Sequence, residues 1–373
     1  MRQVVKSFFG GIYPAAKKKS TAESPIEVLP APETVAISLW HCAGAEAKAV
    51  VAKGDRVLKG QVIGEAAPGI SAPVHSSVSG EVKAVELRPH VSGRSVTAVV
   101  IENDGLDNWV EKTPHPDPIQ LDRAEILAKI KAAGIVGMGG GGFPAAVKLS
   151  PPADAVIDFL IINGCECEPY LTADHRMMVE YPEDIVLGAQ LMAKACGAKR
   201  VIIAVEDDKP EAIQALRQAA GSLEVVALPT RYPQGGEKQL IQTLTGREVP
   251  SGGLPYQAGS LVHNVGTAWA TAKAVRDGEP SIATVVTVTG EPVAEPKNFM
   301  VPIGTTLAQL FEAAGGFVNG VGKVIVGGPL MGAAQFELDA SVCKNLTGVI
   351  AFSEKEARLP SILPCIKCSR CVD

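Results

Sequence analysis

The feature that most constrains this chain is a run of five glycines in six residues, Gly137-Met138-Gly139-Gly140-Gly141-Gly142, followed by Phe143 and Pro144. Where side chains are absent, the backbone can approach a bulky ligand closely, and several N–H groups can point in one direction. Such a group of N–H donors favours an anionic phosphate. The run therefore predicts a cradle for a nucleotide or a flavin.

The order of the elements around the glycines narrows the kind of cradle. Gly137-x-Gly139-x-x-Gly142 formally satisfies the dinucleotide-binding fingerprint, but that fingerprint follows a strand and opens a long helix. Here the apolar spacing over residues 121–130, with Asp122 as N-cap, predicts a helix before the glycines. Only residues 145–149 can be helical afterwards, because Pro151 and Pro152 follow. A standard Rossmann turn is therefore disfavoured.

Length and composition limit the class of protein. At 373 residues the chain is long enough for two or three domains of ordinary size. The net charge of -5 argues against nucleic acid as the main partner, and no apolar run approaches the roughly 18–20 residues of a membrane helix. Five of the eight cysteines are scattered, which indicates reduced thiols. We expect a cytoplasmic protein, or one that is soluble on its own and lies peripherally on the cytoplasmic face of a membrane-embedded partner.

The first third of the chain predicts an arm and a β module. Residues 1–30 contain glycines, prolines and three consecutive lysines, so we expect an extended arm, with a solvated tail as the alternative. Over residues 31–118, short β-type runs separated by glycine turns predict a small β sandwich. This segment looks like the barrel-sandwich hybrid of biotinyl and lipoyl carriers. Those carriers display a modifiable lysine on a hairpin tip, whereas residues 66–69 contain none, so a structural module is favoured over a swinging arm.

The middle of the chain, residues 119–278, alternates strand and helix patterns. This alternation predicts a parallel sheet covered on both faces, with ligand-binding loops at the carboxyl ends of its strands. The predicted strands are 157–162, 201–205 and 223–228, the predicted helices are 183–195, 210–220 and 237–244, and a further helix begins after His263-Asn264. Residues 279–353 open with a β-branched strand and continue with a helix and a second strand, which is typical of a β-grasp unit. Residues 354–373 form a connector to three closely spaced cysteines.

The loop after the strand at 157–162 carries Asn163, Glu166 and Glu168. We predict that Asn163 and Glu166 hold the edge of a flavin ring and that Glu168 holds a ribose or a nicotinamide. The alternative is an acidic turn that caps the helix of Asp174. Further candidates in the same module are Lys148, which could reach a phosphate, and Tyr232, Gly235, Glu237, Asn264 and Thr267. Each is weak alone, and His263 beside them is expected to be a core histidine; their occurrence in one module with the glycine run favours a site.

Metal binding is expected at the end of the chain. Cys365-x-x-Cys368-x-x-Cys371 has the spacing of three thiolates around one 4Fe-4S cluster, with a zinc knuckle or three unliganded thiols as alternatives. The bacterial two-cluster run continues to a fourth cysteine, so we expect an incomplete cluster here, little cluster absorbance, and a longer whole protein. Zinc held by Cys165, Cys167 and His175 is disfavoured because their spacing is irregular.

Several of these residues together carry a resemblance to known families. Gly137-x-Gly139-Gly140-x-Gly142-Phe143-Pro144 with Lys148, Asn163-x-x-Glu166-x-Glu168, Tyr232-x-x-Gly235-x-Glu237 and Asn264-x-x-Thr267 resemble the FMN and NADH site of the complex I flavoprotein subunit. Nearly the whole chain resembles the RnfC family of subunits of Rnf electron-transport complexes. The motifs that carry this second resemblance lie at 9–12, 54–61, 168–176, 232–235, 327–332 and 365–368.

The resemblance implies a multidomain α/β plus β fold: a barrel-sandwich hybrid, a Rossmann-like α/β flavin domain, a β-grasp (SLBB) domain and the start of a ferredoxin-like Fe-S domain. It implies that Phe143 and Glu168 meet NADH; for Phe143 the alternative is a plain core aromatic. The residues that it implies for FMN are Gly137, Gly139, Lys148, Asn163, Glu166, Tyr232, Glu237, Asn264 and Thr267. Gly140, Gly142 and Gly235 are expected to bind cofactor in the same site.

The functions that the resemblance implies follow from these cofactors. The chain would be a peripheral NADH-oxidising subunit that passes electrons from NADH through FMN to 4Fe-4S clusters. Other subunits of an Rnf-type membrane complex would couple this transfer to ion translocation, with ferredoxin as the electron partner. The alternative is a non-catalytic docking subunit, similar to the quinone-reductase subunit NqrA or a proline-reductase-associated relative. A lipoyl-like scaffold is a third and weaker interpretation.

Overall fold

The computed structural model describes residues 8–358 and Pro364. The N-terminal arm contains no helix in its described part and ends in strand β1 (Ile26–Val28). β1 pairs in parallel with a strand of the third module, Lys297–Pro302, so the arm is built into a distant sheet. Phe8 and Thr21 of the arm are buried, which fixes it at two further places.

The first module is a sandwich of two antiparallel sheets, as predicted. Its sheets have the orders β2-β8-β7-β4 and β3-β5-β6. Successive residues of β2 are buried on both sides, because the module packs against the third module as well as against itself. The strands are β2 (Thr34–Ser38), β3 (Lys48–Ala49), β4 (Arg56–Val57), β5 (Val62–Glu65), β6 (Val74–His75), β7 (Gly80–Pro89) and β8 (Ser95–Asn103).

The second module contains a parallel sheet with helices on both faces. Its elements are α1 (Arg123–Ala132), α2 (Ala145–Lys148), β9 (Phe159–Gly164), α3 (Ala173–Glu180), α4 (Pro182–Cys196), β10 (Arg200–Glu206), α5 (Pro210–Ala219), β11 (Glu224–Leu228), α6 (Glu237–Thr245), β12 (Ser260–Asn264) and α7 (Val265–Ala272). The strand order is β11-β10-β9-β12, and all three pairings are parallel. Leu160 and Ile162 of β9 pack into one core while Ile161 packs into another, which confirms a sheet that is covered on both sides.

Two features of this module bear on the sequence predictions. Helix α1 precedes the glycine run and the four-residue α2 follows it, so the run does not lie between a strand and a long helix. Asp122 caps α1 by accepting a 2.9 Å hydrogen bond from the backbone of Glu125. Strand β12 was not predicted, because its five residues include serine, histidine and asparagine and lack a continuous apolar pattern.

The third module is a six-stranded mixed sheet with the order β1-β14-β13-β17-β15-β16. Its own elements are β13 (Ala283–Thr289), β14 (Lys297–Pro302), α8 (Leu307–Ala313), β15 (Val321–Val326), β16 (Ala333–Gln335), β17 (Gly348–Ser353) and the short α9 (Glu354–Ala357). The sequence predicted β13, α8 and β15 but missed the strands that complete the sheet. Val286 and Phe311 share one hydrophobic core with Ile37 of the first module. None of the helices in the described part of the chain has both the length and the apolar composition that crossing a membrane requires.

Candidate functional site

The candidate residues gather at the carboxyl ends of the four parallel strands. Asn163 lies at the end of β9, and Asn264, the last residue of β12, pairs with it in register. The loops after β10 and β11 reach the same edge of the sheet, because all four strands run in one direction. Open parallel sheets bind their ligands at this edge. The topology therefore brings together residues that are about a hundred positions apart in the sequence.

The glycine loop, defined here as residues 137–142, is closed on itself by backbone hydrogen bonds. The N–H of Gly137 donates to the carbonyl of Phe143 over 2.9 Å, and the N–H of Gly142 donates to the carbonyl of Gly137 over 3.0 Å. Thr267, fully buried at the start of α7, accepts a 2.9 Å hydrogen bond from the N–H of Met138. The loop is therefore anchored on its inner side.

The outer side of the glycine loop consists of bare backbone. Gly139, Gly140 and Gly141 are exposed, and a Cβ on Gly140 or Gly141 would meet no atom within 4 Å. A Cβ on Gly139 would lie 3.1 Å from the side chain of Asn264, so glycine keeps the loop close to α7. Gly140 has a φ of 91°, a conformation that favours glycine. This surface has the chemistry of an anion cradle.

Asn163 ties the first candidate loop to the turn around Gly235. Its side-chain nitrogen donates to the carbonyl of Gly235 over 2.9 Å, and its side-chain oxygen accepts from the N–H of Cys165 over 3.0 Å. A Cβ on Gly235 would lie 2.3 Å from the carbonyl oxygen of Cys165. Glycine is therefore required for this contact, and the predicted residues Asn163 and Gly235 belong to one unit.

Glu166 is buried and caps a helix. Its Oε1 accepts a 2.9 Å hydrogen bond from the N–H of Asp174, and its Oε2 lies 3.4 Å from the N–H of His175, both at the start of α3. This is the capping turn that the sequence offered as the alternative to a ligand contact. Burial, followed by the charge of Glu166, raises the pKa of Asp174, and a hydrogen bond from Asn264 opposes the shift.

Glu168 contacts the third module. Its Oε2 accepts a 3.0 Å hydrogen bond from the N–H of Leu330, whereas its Oε1 is buried and has no partner among the described residues. Burial raises the pKa of the Glu168 carboxyl, and the N–H groups of Leu330 and Met331 oppose that shift. One carboxylate oxygen is therefore held and the other remains available as an acceptor.

The remaining predicted residues line the same region. Lys148, at the end of α2, forms a 2.5 Å ion pair with Glu237, the first residue of α6, and both side chains are partly exposed. Phe143 is half-buried beside the glycine loop. Tyr232 exchanges two backbone hydrogen bonds with Ile12 of the N-terminal arm, over 2.8 and 2.9 Å.

The arm also brings a lysine to the site that the sequence did not single out. The Lys18 ammonium donates to the carbonyl of Glu166 and lies 3.8 Å from Oε2 of the same residue. Burial lowers the pKa of Lys18, and the Glu166 carboxylate opposes this shift. The backbone N–H of Tyr170 donates to the carbonyl of Ala16 over 2.8 Å, so the arm lies along the loop that carries Glu166 and Glu168.

A second missed group lies at the end of β10. Lys209, almost completely buried, donates to Glu206 over 3.0 Å and to Asp208 over 2.6 Å. Burial disfavours its charge, but the carboxylates of Glu206 and Asp208 outweigh burial and raise the pKa of Lys209. One sequence signal could have identified this group: a run of acidic residues and a lysine lies directly after a buried parallel strand. Nearby, the amide of the fully buried Gln234 has no partner among the described residues.

The structure bears on two further sequence predictions, the role of His263 and metal binding by histidine and cysteine residues. His263 is buried on β12, and burial holds its pKa well below the ordinary value, as expected of a core histidine. Across residues 8–358, no group of three or more histidine, cysteine, aspartate or glutamate side chains is arranged to hold a metal ion. Burial raises the pKa of Cys167 to about 11. The predicted ligands Cys365, Cys368 and Cys371 lie outside the described residues.

Three family models match this chain. Residues 6–106 match the RnfC barrel-sandwich-hybrid domain, residues 130–273 match the Nuo51 FMN-binding domain, and residues 285–334 match the SLBB domain. The matches confirm the multidomain mixed α/β architecture. The second of them spans the glycine loop and every other predicted residue of the parallel-sheet site.

Curated relatives match almost the full length. The chain is 45% identical over 372 residues to the C subunit of the proton-translocating ferredoxin:NAD(+) oxidoreductase complex of Clostridium ljungdahlii, covering 99% of this chain and 81% of that one. It is 45% identical over 370 residues to the C subunit of the Na(+)-translocating complex of Acetobacterium woodii, covering 98% and 84%. Among solved structures, a chain of an NAD+-reducing [NiFe]-hydrogenase is similar, with a TM-score of 0.55 and 26% identity over 65% of this chain and 49% of that one.

Proposed function

Because this chain belongs to the RnfC family, whose members are the C subunits of ion-translocating ferredoxin:NAD(+) oxidoreductase complexes, we propose that it is the subunit that exchanges electrons with NAD(H) through FMN. Other subunits of the complex are then its partners, ferredoxin is the electron partner of the complex, and ion translocation belongs to the assembly. The chain would sit peripherally on the cytoplasmic face of the membrane.

The observation that carries this proposal is the glycine loop beside two buried, unpartnered polar groups. The exposed backbone from Gly139 to Gly141 can accommodate a phosphate, because a ligand can approach it without meeting side chains. The buried amide of Gln234 and Oε1 of Glu168 lack partners among the described residues. Buried polar atoms in native proteins nearly always have partners, so both favour a ligand with donors and acceptors of its own. The residues therefore fit a flavin and a nicotinamide nucleotide.

In this proposal each residue has a role in holding a cofactor. The N–H groups of the glycine loop and the ammonium of Lys148 bind the flavin phosphate, while Thr267 and Asn264 hold the loop against α7. Asn163 and Gly235 fix the edge of the ring site, and Glu166 acts through α3. Phe143 and Glu168 face the nicotinamide, and Tyr232 holds the arm over the site.

The bound flavin would supply hydride acceptance and one-electron release, and the protein supplies position and electrostatics. The electrostatic potential at the site is set by the buried carboxylates of Glu166 and Asp174 and by the cations of Lys18 and Lys209. Cys365, Cys368 and Cys371 are proposed as three ligands of a 4Fe-4S cluster that receives electrons. The domains are proposed at 1–30, 31–118, 119–278, 279–353 and 354–373.

The test is a titration of the purified chain with FMN and, separately, with riboflavin. We expect one FMN per chain, measured by the quenching of flavin fluorescence. Lys148→Met should weaken FMN binding about tenfold or more, because a charge-assisted contact to the phosphate is lost, and should leave riboflavin affinity unchanged. Lys53→Met, an exposed lysine in the first module, is the matched control. A wild-type chain that binds no FMN would contradict the proposal.

The second candidate function is a non-catalytic docking subunit. Exposed apolar side chains favour it: Phe9 on the arm and Met331 and Phe336 on the third module are each more than three-quarters exposed. NADH oxidation by the FMN-loaded protein with an artificial one-electron acceptor would exclude a purely docking role. FMN binding without any NADH oxidation would favour it.

A further inference from the structure

The third module reaches the candidate site through two turns that none of the proposed cofactor contacts includes. The first, called here the Lys-Asn turn, consists of Lys344 and Asn345 before β17. The second, called here the Gly-Pro turn, runs from Gly327 to Gly332 between β15 and β16. Each turn contacts a different wall of the site in the second module, and the contacts are polar and specific.

The Lys-Asn turn contacts the glycine loop. The side-chain nitrogen of Asn345 donates to the carbonyl of Gly140 over 2.9 Å. A Cβ on Gly142 would lie 3.2 Å from the same nitrogen, so the turn and the loop are already at close contact distance. Because Asn345 holds a carbonyl of the loop from outside, it fixes the orientation of the peptide groups at Gly140. Those peptide groups form the exposed cradle.

Lys344 binds the segment that leads into the glycine loop. Its side chain is fully buried, and its ammonium donates to the carbonyl of Gly134 over 2.8 Å and to that of Pro73 over 2.9 Å. Among the described residues, the titratable groups that act on Lys344 are Cys42 and Cys343, and no carboxylate pairs with its ammonium. Its charge is therefore compensated by carbonyls of the first and second modules. One side chain thus joins all three modules just before the glycine loop begins.

The Gly-Pro turn contacts Glu168. The N–H groups of Leu330 and Met331 bind its carboxylate, with a 3.0 Å distance from Leu330 to Oε2. A Cβ on Gly328 would lie 2.2 Å from Oε2, so only glycine leaves room for the carboxylate there. Since Oε1 is buried and unpartnered among the described residues, the turn fixes one oxygen and leaves the other for a donor.

We propose that the third module is the positioning element of the nucleotide site: the Lys-Asn turn sets the glycine loop for the flavin phosphate, and the Gly-Pro turn sets Glu168 for a nicotinamide carboxamide. This inference rests on the proposed function. A carboxamide nitrogen carries two N–H donors, which match an acceptor oxygen that lacks a partner. The two turns act on different ligands, so their effects on binding are separable.

The test compares two variants by two binding measurements. FMN affinity is measured by fluorescence quenching, and NADH affinity is measured by anaerobic calorimetry on protein loaded with pre-reduced FMN, which cannot accept a hydride from NADH. Asn345→Ala should weaken FMN binding about fivefold to tenfold, the effect of one lost hydrogen bond, and leave NADH affinity unchanged. Gly328→Ala should weaken NADH binding by at least the same factor and leave FMN affinity unchanged. Met331→Ala is the matched control, because its side chain is 79% exposed and its N–H is retained.

A second measurement keeps the test decisive if Gly328→Ala folds poorly. Adding Glu168→Gly to Gly328→Ala removes the whole side chain that the new Cβ would meet, because that Cβ would lie 2.2 Å from Oε2 and 2.5 Å from the Cβ of Glu168. The thermal midpoint should then recover toward that of Glu168→Gly alone. No recovery overturns the contact between the turn and Glu168. Equal shifts of both affinities in each variant, or no shift, overturn the inference while leaving the proposed function intact. A wild-type chain that binds neither ligand overturns the proposed function, and the inference with it.

Discussion

The side-chain nitrogen of Asn264 donates a 2.6 Å hydrogen bond to Oδ2 of Asp174, 90 positions away in the chain. The side-chain oxygen of Asn264 accepts from the N–H of Gly266 over 2.7 Å and so caps α7. One asparagine therefore connects the beginnings of α3 and α7. It also lies against Gly139 of the glycine loop, so the geometry of the cradle depends on this contact.

Replacing Asn264 separates its two roles. Asn264→Ser keeps a good N-cap and removes the donor to Asp174, so the free energy of unfolding should fall by about 1–2 kcal/mol.

Asn264→Asp also keeps the cap but places a second carboxylate beside Asp174. The pKa of Asp174 is already raised by burial and by Glu166, and a group of this kind destabilises the fold as pH rises. The penalty of Asn264→Asp should therefore be larger at about pH 7.5 than at about pH 5. Denaturant titrations at both pH values test this, and equal penalties would contradict it.

Gly235 is expected to tolerate no side chain. In Gly235→Ala the new Cβ would lie 2.3 Å from the carbonyl oxygen of Cys165, and that backbone cannot move without disturbing the hydrogen bond from Asn163 to Gly235. We expect a loss of about 1–3 kcal/mol in stability and weaker FMN binding. Gly141→Ala is the matched glycine control: its Cβ meets nothing within 4 Å, so stability should change by less than about 0.5 kcal/mol. Thermal unfolding of the two variants compares them, and equal losses would argue against the contact.

Lys18 is expected to hold the arm in place. Lys18→Met removes the ammonium that binds the carbonyl of Glu166 and faces its carboxylate. The flanking residues Lys17 and Lys19 are exposed, so release of the arm should speed tryptic cleavage at these two lysines. Cleavage is followed by mass spectrometry of the native protein, with Lys53→Met as the control. Unchanged cleavage rates would show that the other contacts of the arm, including those of Ile12 with Tyr232 and of Ala16 with Tyr170, hold it without Lys18.

Local signals made much of the second module predictable. The glycine run, the N-cap Asp122 and the apolar strands are each encoded within a few residues, and the rule that ligands bind at the carboxyl ends of parallel strands placed Asn163 at the binding edge. Asn264 reaches the same edge through β12, which was not predicted. The rejection of a Rossmann turn also came from local order, since α1 precedes the glycines. Short strands such as β12 were not predicted, because five residues carry too little periodicity to distinguish a strand from a helix.

The contacts that complete the site were not predictable in the same way. Glu168 meets Leu330 across 162 positions, and Lys18 meets Glu166 across 148. No local sequence pattern predicts either pair. A charged residue in a turn or an arm is expected to be solvated unless the packing of the modules is known. The shared core of the first and third modules determines where the two turns of the third module lie. This packing is non-local and is not encoded in any single segment.

Lys344 gives a prediction for alkaline pH. Burial lowers its pKa to about 8, and the neighbouring Cys42 and Cys343 oppose the shift. In the unfolded chain a lysine titrates near about 10.4, so between these two values the unfolded state holds more protons than the folded state. The contribution of Lys344 to the free energy of unfolding therefore rises with pH from about 8 to about 10. Burial lowers the pKa of His41 and of His75, and it raises that of Cys42 and, to about 12, that of Cys343. These groups are present in wild type and in a Lys344 variant alike, so the contribution of Lys344 is isolated by comparing the two proteins.

The test compares wild type with Lys344→Met, which keeps the length of the side chain and removes the charge. The difference in free energy of unfolding, wild type minus variant, should increase by about 1–2 kcal/mol between about pH 8 and pH 9.5, since one pKa unit corresponds to about 1.4 kcal/mol. The exposed Lys53→Met provides the control, and its difference from wild type should stay flat over the same range. A flat difference for Lys344→Met as well would mean that the ammonium at the junction of the three modules keeps its proton throughout, with the carbonyls of Gly134 and Pro73 compensating its burial in full.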